Sequence, residues 1–284
     1  MKVLPFQIPK PEHDALIYQE DKEVVFYDKF HQHEEIQVSF IAAGEGTLIV
    51  GDTINYYKKG DVLAIGSNLP HVFKSDIAND KTSEMLTLFF TKTGFGEHFF
   101  ELEELRELRS FFKKVEHGFQ LSPKSNKLEG LFLQLNNSSK FQRFLICLEI
   151  LKTLSKSKSQ ALSSFIYDKK YTDSEGKRMQ DVMDFTMKNY SKQISLDDIA
   201  KVSSMTKNAF CKYFKKRTNK TYFRFLTELR IENACKLLLT DDTLSVAEVA
   251  DVSGFNNISN FNRQFKYLKH TSPLQFKNNS KIKL

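Results

Sequence analysis

Two short stretches of this chain carry side chains suited to reading a patterned array of hydrogen-bond donors and acceptors. In TKNAFCKYFKK (206–216), Phe210 and Phe214 stand four apart, as inward residues of a helix do. That spacing leaves Lys207, Asn208, Cys211, Lys212 and Lys215 on the outer arc. In ISNFNRQFKYLK (258–269), Phe261 and Phe265 do the same, leaving Ser259, Asn260, Asn262, Arg263 and Lys266 outside, with Asn257 just ahead of the first turn. Asn and Arg form bidentate pairs with adenine and guanine edges, which a major groove presents distinctly. Lys at the helix flanks suits phosphate, which supplies affinity and register but no sequence choice.

The two stretches belong to a larger echo. Leu196, Ile199, Ala200, Val202, Ser203 and Met205 recur fifty residues later as Val246, Val249, Ala250, Val252, Ser253 and Phe255. Phe210, Phe214 and Lys215 recur at fifty-one as Phe261, Phe265 and Lys266, and Thr221 and Phe225 as Ser272 and Phe276. A fixed-length echo is one supersecondary unit built twice. Ser195-Leu-Asp-Asp198 and Ser245-Val-Ala-Glu248 are matching capping boxes that start a short first helix. Ala200 and Ala250 let a second helix pass closely. Ser253-Gly254-Phe255 supplies a tight turn with a glycine able to take positive φ, and Ser203-Ser204-Met205 fits that duty less well. Each unit therefore reads as helix-turn-helix. One such unit is as well explained by a solvated helix face; two in fixed register with the same caps favour duplex DNA.

Between the copies, Tyr222–Leu239 has helical apolar spacing and neither Gly nor Pro, so one helix should join the units at a fixed distance. Two second helices so held could enter successive major grooves, roughly 34 Å apart, on one face of a duplex. Charge agrees. Residues 177–284 hold 20 Lys+Arg against 10 Asp+Glu, while the other 176 residues hold 22 against 25. The overall +7 is thus a basic C-terminal part on a slightly acidic remainder, the footprint of a polyanion partner.

Residues 178–278 resemble the C-terminal DNA-binding domain of the AraC/XylS family of bacterial transcription regulators. The resemblance rests on Arg230, Ala234, Leu237-Leu238, Ala250, Gly254-Phe255, Phe261-x-Arg263-x-Phe265-Lys266 and Ser272-Pro273. It implies that both second helices contact DNA, with base contacts from Asn208, Lys212, Ser259, Asn262 and Arg263. Two positions depart from the family pattern: Cys211 stands where members often carry a polar reader, and Lys220-Thr221-Tyr222 replaces a Gly-x-Ser-Pro turn.

Upstream, residues 24–91 hold short runs rich in branched and aromatic residues: VVFY (24–27), IQVSFIA (36–42), TLIV (47–50), TINYY (53–57), DVLAI (61–65) and MLTLFF (85–90). They are divided by Gly44, Gly46, Gly51, Gly60 and Gly66, which predicts a closed or sandwiched β-fold. His31-x-His33, Gly44-x-Gly46, Gly60-Asp61 and Pro70-His71 resemble a cupin-type barrel, the sensor common in that family. Such barrels in enzymes hold a metal with two His, a Glu and a later His. Here Gln37 takes the glutamate's place, so no metal or other cofactor is assigned. The resemblance implies a small effector, with Phe26, His33, Gln37 and His71 as lining residues. The alternatives are a cupin metal-dependent enzyme carrying a basic accessory domain, and a regulator without a small-molecule ligand.

Helical spacing returns at Leu102, Leu105, Leu108, Phe112 and Val115, and at Phe141, Phe144, Leu145, Leu148, Leu151 and Leu154. These stripes either cover the sheet or pair two subunits. The fold class expected is multidomain α+β: a cupin-like β-barrel sensor (1–95), a helical dimerisation or connecting segment (96–167), a linker (168–177) and an all-α double helix-turn-helix domain (178–284). Pro5, Pro9 and Pro11 make residues 1–20 an extended lead-in. Three separated cysteines, Cys147, Cys211 and Cys235, argue against a disulfide framework, and no secretion signal or membrane span is visible. The expectation is a cytoplasmic, non-enzymatic homodimer whose partners are promoter DNA, a small effector and, for an activator, RNA polymerase.

Overall fold

The computed structural model describes residues 14–76, 82–122, 126–167 and 173–281. The chain divides into two compact units, Met1–Lys177 and Arg178–Leu284. The expected lead-in up to residue 13, and residues 168–172 of the expected linker, lie outside the described residues.

In the first unit the strands are β1 (Leu16–Glu23), β2 (Ile36–Ala43), β3 (Glu45–Val50), β4 (Thr53–Lys58), β5 (Val62–Ile65), β6 (His71–Ser75), β7 (Ser83–Phe90), β8 (Phe119–Leu121) and β9 (Gln160–Ala161). One sheet has the order β1-β7-β2-β5-β8-β9 and a second has β4-β3-β6, every pairing antiparallel. The period-two alternation of strand side chains sorts β2 and β7 between two cores. Val38, Phe40, Leu86, Leu88 and Phe90 pack beneath the helical segment, while Ile41 and Met85 face the interior between the sheets with Leu48, Val50, Leu63 and Phe73. The result is the barrel-like interior expected from the glycine-divided runs.

Two strand expectations need correction. VVFY (24–27) is irregular rather than a strand: the Phe26 amide donates to Ser75 Oγ at 3.1 Å, and its ring packs against Tyr57 and Phe73. The strand lies earlier, at β1, which begins inside the expected lead-in and runs past its end. As an edge strand β1 needs only β7 as its neighbour, so its half-buried sequence carries a weak alternation signal.

The helical segment comprises α1 (Arg109–Val115), α2 (Lys127–Gln134) and α3 (Lys140–Lys156). Ahead of α1 the expected single helix is two 3-10 turns, Phe99–Glu101 and Glu103–Leu108. They are separated by Leu102 in extended conformation, and Leu102 points to solvent instead of joining the stripe. The α3 stripe also divides. Leu151 and Leu154, with Cys147 and Ile150, are buried against the sheet, whereas Phe141 and Leu145 are 70% and 49% exposed.

The second unit is all helix: α4 (Asp173–Asn189), α5 (Leu196–Val202), α6 (Lys207–Thr218), α7 (Tyr222–Thr240), α8 (Val246–Val252), α9 (Ile258–Lys269) and α10 (Pro273–Lys281). Residues 173–177, expected as linker, already belong to α4. At about 1.5 Å per residue, α7 spans roughly 28 Å. It buries Phe225, Leu226, Leu229, Ala234 and Leu238, which lets it serve both helix-turn-helix copies as a common support. No helix among the described residues is long and apolar enough to cross a membrane.

Candidate functional site

In copy one the Ser195 hydroxyl accepts from the Asp198 amide at 3.2 Å, and the Asp198 carboxylate accepts from the Ser195 amide at 2.9 Å. This reciprocal cap fixes where α5 begins. The turn after it closes with the Met205 amide donating to Ala200 O at 2.9 Å, with Ser204 at φ +53°. Thr206 caps α6, and Phe210 and Phe214 are fully buried against Tyr222, with ring centroids 5.5 and 5.4 Å from it. The opposite arc, with Lys207, Asn208, Cys211, Lys212 and Lys215, is exposed. Lys207 Nζ lies 2.8 Å from the Asp197 carboxylate, a contact that holds it near the first helix rather than leaving it extended.

Copy two repeats the arrangement. Ser245 and Glu248 form the capping box, and the Phe255 amide donates to Ala250 O at 2.9 Å. Gly254 takes φ +88° at the position of Ser204. A Cβ on Gly254 would also lie 2.7 Å from Tyr190 O and 2.9 Å from Arg230 Nε, so close packing demands glycine as much as the turn does. Phe261 and Phe265 are fully buried, and Asn257, Ser259, Asn262, Arg263 and Lys266 are exposed on α9. Asn257 caps the helix by accepting from the Asn260 amide at 3.0 Å, and Arg263 donates to Asn260 Oδ1 at 2.9 Å. Asn257 is therefore first a helix cap, with only its amide NH2 left to donate outward.

Arg230 on α7 ties the copies together. It donates from Nε to Tyr190 O at 2.7 Å and from a terminal nitrogen to Lys192 O at 2.8 Å, just ahead of copy one. The same guanidinium lies 6.0 Å from the centre of the Phe255 ring in copy two. Lys269 and Glu232 add an ion pair at 2.6 Å between α9 and α7.

In the first unit, three of the four expected effector-lining residues come together. His33 Nε2 is 3.3 Å from Gln37 Oε1, and the His33 and His71 rings are 5.2 Å apart. Phe26 does not join them: it sits in the apolar interior with Tyr57 and Phe73. His31 takes its place, with its ring 4.2 Å from His71 and 5.8 Å from His33. Paired backbone bonds between residues 31 and 71, at 3.0 and 2.8 Å, hold those two rings side by side. One ring nitrogen from each of His31, His33 and His71 lies within 4.8 Å of the others. Burial disfavours the imidazolium form. It pushes His31 down to about 3, with neighbouring His33 adding to the effect, lowers His33, and lowers His71 well below its usual value with both other rings contributing. All three are neutral at physiological pH. From Gln37 a buried polar chain runs inward: its amide donates to Ser39 Oγ at 2.9 Å, which lies 2.8 Å from Thr87 Oγ1.

A family model described as a helix-turn-helix domain matches residues 199–279. The C-terminal unit carries an AraC-type helix-turn-helix domain. Two relatives match most of the chain. The uncharacterized HTH-type transcriptional regulator YdeC of Bacillus subtilis is 25% identical over 269 residues, covering 88% of this chain and 86% of its own length. The HTH-type transcriptional activator RhaR of Mannheimia succiniciproducens is 24% identical over 253 residues, covering 87% and 86%. Among solved structures, ToxT from Vibrio cholerae aligns over 93% of this chain and 97% of its own at 11% identity and a TM-score of 0.37. An AraC-type helix-turn-helix domain is a DNA-binding element of transcription regulators.

Within the AraC-type domain, two features escaped the sequence reading. Ser204 adopts the left-handed turn without being glycine, so the two turns match more closely than their sequences suggest. Asn219 and His270, fifty-one residues apart, end α6 and α9 at φ +54° and +57°; the shared spacing could have marked them as matched helix ends.

Proposed function

We propose that this chain is a sequence-specific, DNA-binding transcription regulator whose single polypeptide reads two successive major-groove segments. One observation carries the reading: the same capped helix pair occurs twice on α7, each copy presenting an exposed polar arc over a fully buried Phe pair. Lys207, Asn208, Cys211, Lys212 and Lys215 face one segment, and Asn257, Ser259, Asn262, Arg263 and Lys266 the next. Arg263 and Asn262 read base edges, and Lys212, Lys215 and Lys266 hold phosphates. The first unit modulates this binding through a small effector taken up near His33, Gln37 and His71. A ligand acts there by favouring one state of the protein over another. A homodimer belongs to the same proposal, supported by the exposed Phe141 and Leu145 on α3, as do contact with RNA polymerase where the regulator activates and a cytoplasmic location. Selection of duplexes from a random pool by the full chain at moderate salt tests the reading. Recovery of a consensus supports it; binding that shows no sequence preference overturns it.

A further inference from the structure

An aliphatic side chain on a helix either closes the core or meets an apolar group outside the protein. Ile258 is the first residue of α9 and is 42% exposed. It takes no part in the core of copy two, which Val249, Ala250, Phe255, Phe261 and Phe265 close against α7, and it is not among the half-buried residues packed on that core. Nor does α9 need it to form. A β-branched residue is a poorer helix former than most, and the Asn257 cap already fixes where the helix starts. Copy one supplies the contrast. At the spacing of fifty-one that matches Phe210 to Phe261, the counterpart of Ile258 is Lys207, whose ammonium pairs with Asp197 at 2.8 Å. At this position copy two alone carries an apolar group.

We propose that Ile258 selects thymine in the major-groove segment that copy two reads, by packing against the C5-methyl group of the base. The inference rests on the regulator reading above and adds a residue to its readers. The first turn of a recognition helix is the part that reaches base edges. The thymine methyl is the apolar group that the major groove offers there, and an apolar side chain is its complement. Asn262 stands four residues on, one turn along the same side of α9. An A·T pair presents the adenine N6 and N7 edge beside the thymine methyl. Ile258 and Asn262 match the two halves of that pattern: the carboxamide takes the adenine edge, and the branched alkyl group takes the methyl of the same pair or of its neighbour. Neither side chain is charged. Selection by this pair therefore adds nothing to the salt dependence of binding, unlike the phosphate contacts of Lys212 and Lys266.

The test uses the full chain and the pool-selected duplex. The copy-two segment is the one whose contacts Arg263→Ala erases, and each thymine in it is replaced in turn by uracil. Uracil keeps the hydrogen-bonding groups of thymine and lacks only the C5-methyl. One such replacement should weaken binding about fourfold, the worth of one buried methyl group, with the slope of log affinity against log salt unchanged. Ile258→Ala should bind the thymine and uracil duplexes equally, and Ile258→Val should keep part of the discrimination. Because Ile258 lies outside the core, Ile258→Ala should leave the urea midpoint of the second unit unchanged. A flat uracil scan across the copy-two segment, discrimination that survives in Ile258→Ala, or a lowered urea midpoint for that variant overturns the assignment and leaves the regulator reading intact. Failure to select any duplex would sink that reading, and this assignment with it.

Discussion

At the scale of single residues, the proposed function divides the two arcs into readers and holders, and that division predicts different phenotypes. Arg263→Ala and Asn262→Ala should each remove roughly 1–3 kcal/mol of preference at particular base pairs, flattening selectivity. Lys212→Ala and Lys266→Ala should instead weaken binding to all sequences alike and lower the slope of log affinity against log salt by about 1. Fluorescence anisotropy on matched and mutated duplexes across a salt series separates the two patterns; uniform weakening by Arg263→Ala would remove it from the readers. Gly254 offers a sharper structural test. Gly254→Ala puts a methyl 2.7 Å from Tyr190 O on a backbone at φ +88°, and should destabilise the second unit by more than the ~1 kcal/mol of an ordinary strained turn. Ser204→Gly, at the matching position, should be neutral to stabilising. A loss of stability on Ser204→Gly in urea melts would show that the two turns are not equivalent.

At the scale of elements, the caps bound the helices and their chemistry was legible in advance. Ser195/Asp198 and Ser245/Glu248 announce reciprocal hydrogen bonds because residue types three apart suffice to form them, with no tertiary partner needed. Ser245→Ala should cost about 1 kcal/mol in denaturant unfolding of the second unit. The Ser245 hydroxyl and backbone amide hold the Glu248 carboxyl below its usual range, as Ser195 does for Asp198. A depressed carboxyl contributes stability that is present above the unfolded value and lost as pH falls through the folded one, so both caps should weaken in acid. The Phe210/Phe214 and Phe261/Phe265 pairs were equally readable, because helical periodicity is local. Elements set by distant partners were not. β1 is defined by pairing with β7, sixty or more residues away. The break at Leu102 turns one apparent helix into two 3-10 turns and α1. The histidine cluster was half legible: residues 31 and 33 announce themselves by spacing, but the backbone pairing that seats His71 beside them does not.

At the scale of the whole molecule, charge and architecture agree. The basic excess lies in the unit built from two helix-turn-helix copies, and the slightly acidic remainder forms the barrel and its helices. Arg230 bridges the segment ahead of copy one and the turn of copy two, through Tyr190 O and Lys192 O on one side and the Phe255 ring on the other. Arg230→Lys keeps the charge but loses the fork geometry. It should lower affinity for a full-length site more than for a duplex carrying either half alone, as measured by anisotropy on the three duplexes. The central claim is that one chain carries two unequal readers. Base-resolution interference footprinting of the full chain, with one chain bound per selected duplex, tests it most directly. The account predicts two contacted major-groove segments about one helical turn apart on one face, unlike in sequence, with Arg263→Ala erasing contacts in only one of them. A single contacted segment, or two identical inverted segments each requiring a separate chain, would contradict it.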